Sequence, residues 1–309
     1  MTDCLPEGKR IHTARNTGFL STPQTLKEAM ERGEILEARA VMCDSEHNLC
    51  VDLGCMRGFI PREEGAVGIR EGTVRDIAVI SRVGKAVSFL VSDIVTSVSG
   101  EPLAILSRAG AQRRCIGAYI DDLTPGDIIP ARVTHLEPFG AFCDVGCGVV
   151  ALMPIDTISV SRIEHPDERF SVGMDVRAVV KSRVGSRITL SHKELLGTWE
   201  QNAADFAVGE TVAGVVRSVE NYGAFVELTP NLAGLAELRD GLRVGDAASV
   251  YIKSIIPQRM KIKLIIIDTF AAQSRAEPPR YFLSEGHIDR FVYSPDGCDK
   301  LIETDFSVQ

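Results

Sequence analysis

No run of about 18 or more apolar residues occurs in this chain, so no membrane-spanning helix is expected. Apolar tracts such as LIII from Leu264 have the length of a strand. The N-terminus, MTDCLPEGKRIHTARN, has no apolar signal region, which predicts a cytoplasmic protein. None of the eight cysteines forms a C-x-x-C pair, and no two histidines stand at ligand spacing, so neither a zinc site nor any other cofactor site is expected. The cysteines read instead as small buried or strand residues of a reducing compartment. A P-loop, a G-x-S-x-G elbow and an H-E-x-x-H pair are all missing, so no catalytic role and no small-molecule substrate are expected. Aromatic residues make up only 6% of the chain, with a single Trp. The net charge of -8 argues at first against a nucleic-acid partner, although its distribution matters more than its sum.

At 309 residues the chain should hold about two to four domains, and its 45% hydrophobic and 25% charged content is that of a globular protein. Its main feature is a repeat. The stretch GDIIPARVTHLEPFGAFCDVGCGVVALMP from Gly126 aligns without a gap on GETVAGVVRSVENYGAFVELTPNLAGLAE from Gly209. Gly126 matches Gly209, Val133 matches Val216, Phe142 matches Phe225 and Leu152 matches Leu235. Each unit continues into a second strand pair, from Val172 and from Val244. A fainter copy begins at Gly33, and its closing pair VISRVGKAVSFLVS shares Ser-Arg-Val-Gly with the second unit, at Ser81 and at Ser182. Short alternating strands with Gly-rich turns predict small closed or nearly closed β-barrels. The expected layout is an N-terminal extension with a short helix from Thr22-Pro23 (1–32), a degenerate barrel (33–95), a linker (96–124), a second barrel (125–193), a helical linker (194–208), a third barrel (209–268) and a tail (269–309). In the helical linker, Ser191 and Glu194 stand at capping-box spacing.

Strand alternation separates two faces. Ala141, Cys143 and Val145 share one face, as do Ala224, Val226 and Leu228. Phe142 then stands beside Asp144, and Phe225 beside Glu227, on a face expected to meet water. On the last strands Ile188, Leu190, Ile262 and Leu264 point inward, leaving Arg187, Lys261 and Lys263 outside, with Lys181 and Lys253 on the preceding strands. Rings interleaved with cations suit single-stranded nucleic acid: bases stack on rings for about 1–3 kcal/mol each, and cations neutralise phosphates. Packing of the same rings against a linker or a neighbouring barrel is the competing reading. The first unit keeps the core pattern without this chemistry. Cys50 stands for Phe142, His47 for Phe139, Ile80 for Lys181 and Ala86 for Arg187. Residues 33–95 are net -3, whereas 126–193 and 209–268 are each net zero.

The pattern G-x-x-V…F/Y-G-A-F…G-x-x-x-L…V-G…K…R-I-x-L-S resembles the S1 RNA-binding domain, and the three-unit layout resembles shorter bacterial members of the ribosomal protein S1 family. The resemblance implies an all-β chain with helical linkers: three tandem five-stranded OB-fold barrels of S1 type. It implies that Phe139 and Phe142, and Tyr222 and Phe225, face RNA. Arg187 would contact RNA from the start of its strand, with Arg259 or Lys261 in that role in the third barrel, where the register slips by one. The family's last-loop acid corresponds to Arg183, and its third-strand histidine to Pro154 and Glu237, so base specificity does not carry over. The implied protein captures single-stranded mRNA for the small ribosomal subunit. Two other readings stay open: a regulator of transcription or RNA turnover that binds RNA without the ribosome, and a protein-interaction scaffold, towards which the overall acidity points.

The remaining polar residues are less specific. His165 lies in a loop where it would either contact RNA or stabilise its turn. His135 is expected to be structural, and His192 to belong to the start of the helical linker. Trp199 is expected to anchor that linker on a barrel. In the tail, RFVYS followed by PDG reads as a strand and a turn, giving a small hairpin docked on the third barrel.

Overall fold

The computed structural model describes residues 4–97, 100–271 and 278–307. Residues 1–3, 98–99, 272–277 and 308–309, which fall in the expected extension, linker and tail, lie outside the described residues. Two compact units are present. One runs to Leu123 and includes Asp144–Val150, and the other takes Thr124–Cys143 and the chain from Ala151 onward.

In the first unit, α1 (Ala14–Phe19) precedes α2 (Pro23–Arg32). Thr22 caps α2 by accepting from the Thr25 N–H, and Pro23 occupies the first turn, where its missing N–H costs nothing. Leu26 and Ala29 of α2 are buried in the core of the barrel that follows. That barrel comprises β1 (Leu36–Cys43), β2 (Leu49–Asp52), β3 (Arg57–Ile60), the short helix α3 (Ile77–Ile80), β4 (Ala86–Thr96) and β5 (Pro102–Ser107). It closes in the order β1-β2-β3-β5-β4. Helix α4 (Arg108–Ala118) follows, in spite of Gly110 and Gly117.

This placement corrects the expected span of 33–95. Ile80 ends α3, and the shared Ser-Arg-Val-Gly stretch forms a turn here, not a hairpin. The closing hairpin is β4–β5, pairing Val91 with Leu106 and Asp93 with Ile105. Its fifth strand lies in the expected linker. Buried Ala104 and Leu106 alternate with half-buried Leu103 and Ile105, and that period, not a four-residue identity, selects the strand.

The second unit holds two more barrels. The first is β6 (Ile128–Glu137), β7 (Gly140–Asp144), β8 (Val150–Pro154), β9 (Asp175–Val184) and β10 (Arg187–Ser191), in the order β10-β8-β7-β6-β9. After α5 (Trp199–Ala203) come β11 (Thr211–Glu220), β12 (Gly223–Thr229), β13 (Leu232–Ala236), β14 (Ala247–Ile256) and β15 (Lys261–Phe270), closed as β11-β12-β13-β15-β14. In all three barrels the third strand pairs in parallel with the fifth, as at Leu235 and Lys263, which is the OB-type closure. Of the predicted inward residues, Ala141, Cys143, Val145, Ile188, Leu190, Ala224, Val226, Ile262 and Leu264 are buried, and Leu228 is half-buried.

The linker between these barrels is not one helix. The Ser191 hydroxyl bonds the Glu194 carboxylate, but only a 3-10 turn follows, and Gly197 at a φ of 86° ends it. The helix cap is Thr198, with Gln201 reaching back to its N–H. Trp199 is buried in the third barrel's core cluster, as expected. The tail forms the small sheet β16 (Arg290–Val292) with β17 (Glu303–Asp305). It packs more widely than on the third barrel alone. Tyr293 joins Trp199 in that core, while Ile288 and Phe306 cluster with Ile128, Val179 and Leu195. The Ile128 N–H donates to the Gly286 carbonyl, and the Ile288 N–H to the Gly126 carbonyl.

Candidate nucleic-acid interface

The rings of the repeated motif form the same pair twice. Phe139 and Phe142 meet edge to face with centroids 5.9 Å apart at 89°. Tyr222 and Phe225 do so at 6.3 Å and 88°. Edge-to-face contact lets each ring present a face outward. The first ring of each pair sits at a turn and is well exposed, Phe139 at 55% and Tyr222 at 66%, while Phe142 and Phe225 are half-buried. The glycine between the rings has a packing reason. A Cβ on Gly140 would lie 2.4 Å from the Met153 carbonyl oxygen, and one on Gly223 would lie 2.7 Å from that of Ala236. Only glycine lets the ring strand come this close to the third strand.

Register places the cations relative to the rings. In the third barrel Phe225 pairs with Leu235, Leu235 with Lys263 and Lys263 with Ser254, giving one lateral row. The corresponding row of the second barrel has Leu152, Thr189 and Ser182, so Thr189 stands where Lys263 stands. Arg187 and Lys261 each open the fifth strand, one β-step from that row, and both are exposed. The expected slip of register in the third barrel is therefore absent. A longer loop intervenes instead and puts Arg259 in an exposed 3-10 turn ahead of Lys261. Lys181 and Lys253 lie at bulges in β9 and β14, opposite Thr189/Leu190 and Lys263/Leu264. Lys253 is exposed, and Lys181 and Arg183 are half-buried.

Three expectations change. Asp144 and Glu227 do not face water: they are 2% and 6% exposed. Asp144 accepts from the N–H groups of Glu7, Gly146 and Gly148, and burial together with the nearby Glu7 charge pushes its carboxyl up to about 7. Glu227 is gripped by Arg217, through Nε at 2.9 Å and Nη2 at 3.1 Å, and by Arg169. The acid beside each ring strand is thus withdrawn from the surface that the rings and cations share. His135 is not a buried structural residue. It is exposed, stacks on Phe142 at 6.2 Å and 27°, and its Nε2 lies 2.7 Å from Glu137. Strict alternation along β6 groups it with the buried Ala131 and Val133, so the strand pattern did not show its exposure. His165 caps its own 3-10 turn, accepting from the Asp167 N–H through Nδ1, which favours the turn-stabilising reading.

The first barrel lacks this chemistry, at residues other than those expected. Its row is Cys50, Phe59, Ile105 and Asp93. The bulge residue matching Lys181 is Ser92, not Ile80, and the strand position matching Arg187 is Leu103, not Ala86. No group of three or more His, Cys, Asp or Glu side chains among the described residues is placed to hold a metal ion. No helix among them is long and apolar enough to cross a membrane.

Comparison with known proteins places this geometry in a family. The S1 RNA binding domain family matches residues 122–193. The small ribosomal subunit protein bS1 of Staphylococcus aureus (strain COL) is 32% identical over 222 residues, covering 70% of this chain and 54% of that protein. The bS1 protein of a Staphylococcus epidermidis strain is 31% identical over 270 residues, covering 84% of this chain and 65% of its own. The chain thus spans between about half and two thirds of the length of these relatives. A solved multidomain protein with nucleic acid binding domains from Streptococcus pneumoniae aligns over 76% of this chain and 74% of its own at 13% identity, with a TM-score of 0.25, too low to carry weight. With three closed five-strand barrels, a matched S1 domain and bS1 relatives along most of its length, the chain belongs to the bacterial ribosomal protein S1 family.

Proposed function

We propose that this chain is a non-catalytic, cytoplasmic protein that binds single-stranded mRNA through its second and third barrels and works with the small ribosomal subunit in translation. The observation that carries the RNA reading is the congruence of the two ring pairs, Phe139 with Phe142 and Tyr222 with Phe225, each followed by cations on the fifth strand. Bases would stack on the exposed rings, and Arg187, Lys253, Lys261 and Lys263 would neutralise phosphates, with Lys181, Arg183 and Arg259 at the margin. Association with the small subunit rests on the bS1 relatives.

Titration with an unstructured oligonucleotide tests the first part. Replacing Phe142 and Phe225 together by Ala should weaken binding at least about tenfold, with little change in thermal midpoint. Unchanged affinity would remove ring stacking from the mechanism. Co-sedimentation with small ribosomal subunits at moderate salt tests the second part, and a protein left wholly in the free fraction contradicts it.

A further inference from the structure

Three cysteines far apart in the sequence meet within the first unit. Cys4 comes from the segment before α1, Cys115 from α4 and Cys147 from the Asp144–Val150 loop. The Cys147 N–H donates to the Leu5 carbonyl at 2.9 Å, and the Cys4 Sγ lies 4.0 Å from the Cys115 carbonyl oxygen. Gly146 makes the approach possible. A Cβ there would lie 2.7 Å from the Cys115 Sγ and 3.1 Å from the Cys4 carbonyl oxygen. Cys115 and Cys147 are fully buried, while Cys4 is partly exposed. All eight cysteines are thiols.

We propose that this cluster is a thiol-oxidation site, in which Cys4 reacts with a peroxide and Cys115 or Cys147 then closes a disulfide with it. The Cys4 sulfur attacks one peroxide oxygen and the O–O bond breaks, leaving a sulfenic acid and hydroxide. The second thiol then attacks that sulfur: the S–S bond forms, the S–O bond breaks, and water leaves with the thiol proton. The hydroxide takes up the proton that Cys4 gave up on ionising, so that two thiols in all lose two electrons and two protons and the peroxide becomes two waters.

The surroundings divide the roles. Hydrogen bonds from Cys115 and then Cys147, with Arg10 and Arg114 nearby, pull the Cys4 thiol down to about 3, in spite of its partial burial. Hydrogen bonds of its own with Cys147 and with Cys4, together with burial, hold Cys115 protonated. A reactive, accessible thiolate beside two buried thiols is the arrangement that an attacking and a resolving cysteine need. The cluster is not placed to hold a metal.

The test treats the full chain with hydrogen peroxide, blocks remaining thiols by alkylation and maps non-reduced peptides by mass spectrometry. The expected product links Cys4 to Cys115 or Cys147 and is reversed by dithiothreitol. Cys4→Ser should abolish it and Cys43→Ser should keep it. In the untreated chain, iodoacetamide should label Cys4 at least about tenfold faster than Cys43 at mildly acidic pH. Cys4 ending as a sulfinic acid with Cys115 and Cys147 alkylated, linkage only among other cysteines, or equal labelling of Cys4 and Cys43 would each overturn the proposal.

Discussion

Lys263 and Thr189 hold the same place in two otherwise matched barrels, in the lateral row that carries Leu235 and Leu152. The third barrel should therefore carry more of the salt dependence of RNA binding. Lys263→Ala should lower the slope of log affinity against log salt by about 0.7, and Thr189→Lys should raise it by a similar amount. A salt series on each variant with one oligonucleotide measures both. His192 belongs to the same scale. It is buried, its Nδ1 lies 2.9 Å from the Ile158 carbonyl, and it meets Phe170 edge to face at 5.1 Å. Burial depresses its pKa to about 4, the Ile158 carbonyl opposing and Arg169 assisting. An unfolded histidine takes up its proton near pH 6.5, before the folded one can, so its contribution is complete above that pH. It is lost as pH falls towards 4, by about 3 kcal/mol if the ring must charge on unfolding. Thermal melts of the wild type and of His192→Gln across that window check the sign: the wild type should lose stability more steeply.

Single elements show what the sequence could and could not convey. The glycines of the ring motif are elements of packing, and Gly140→Ala or Gly223→Ala should cost about 1–3 kcal/mol, because the added methyl meets a backbone carbonyl. Chemical denaturation measures that cost, and oligonucleotide binding should fall with it as the ring strand moves. Core faces were legible wherever apolar and polar residues alternate, as in Ile188 with Leu190 and Ala224 with Val226, since that period leaves few other arrangements. The closing hairpin of the first barrel was not legible, because its ladder runs through Ile105 and Asp93 while a stronger verbal echo lies upstream in a turn. The fate of Asp144 was hidden for another reason. Alternation says which face a side chain leaves from, but burial there depends on chain segments more than a hundred residues away, such as Glu7. The rings and fifth-strand cations were found from local pattern, while the stacking of His135 on Phe142 needed the turn between β6 and β7 in three dimensions.

At the scale of the whole molecule, the second and third barrels form one compact unit. Arg169, ahead of β9, and Glu227, on β12, are 9% and 6% exposed, and Arg217 and Glu168 complete their ion cluster. Removing one member strands the others: Glu227→Ala should cost about 3–5 kcal/mol, because two guanidinium groups lose their counter-charge out of water. Equilibrium unfolding gives the magnitude, and small-angle scattering should show a broader distribution of shapes for the variant. The tail adds a second tie, with Tyr293 in one core cluster and Ile288 and Phe306 in the other. Two sites on a slack tether see each other at a concentration set by chain statistics, which varies smoothly with tether length. Two sites on a single body do not. The molecule would then act as a gauge of its ligand. An oligonucleotide too short to span both ring pairs binds with the strength of one barrel, and affinity climbs in a step, not a slope, once the strand is long enough to reach.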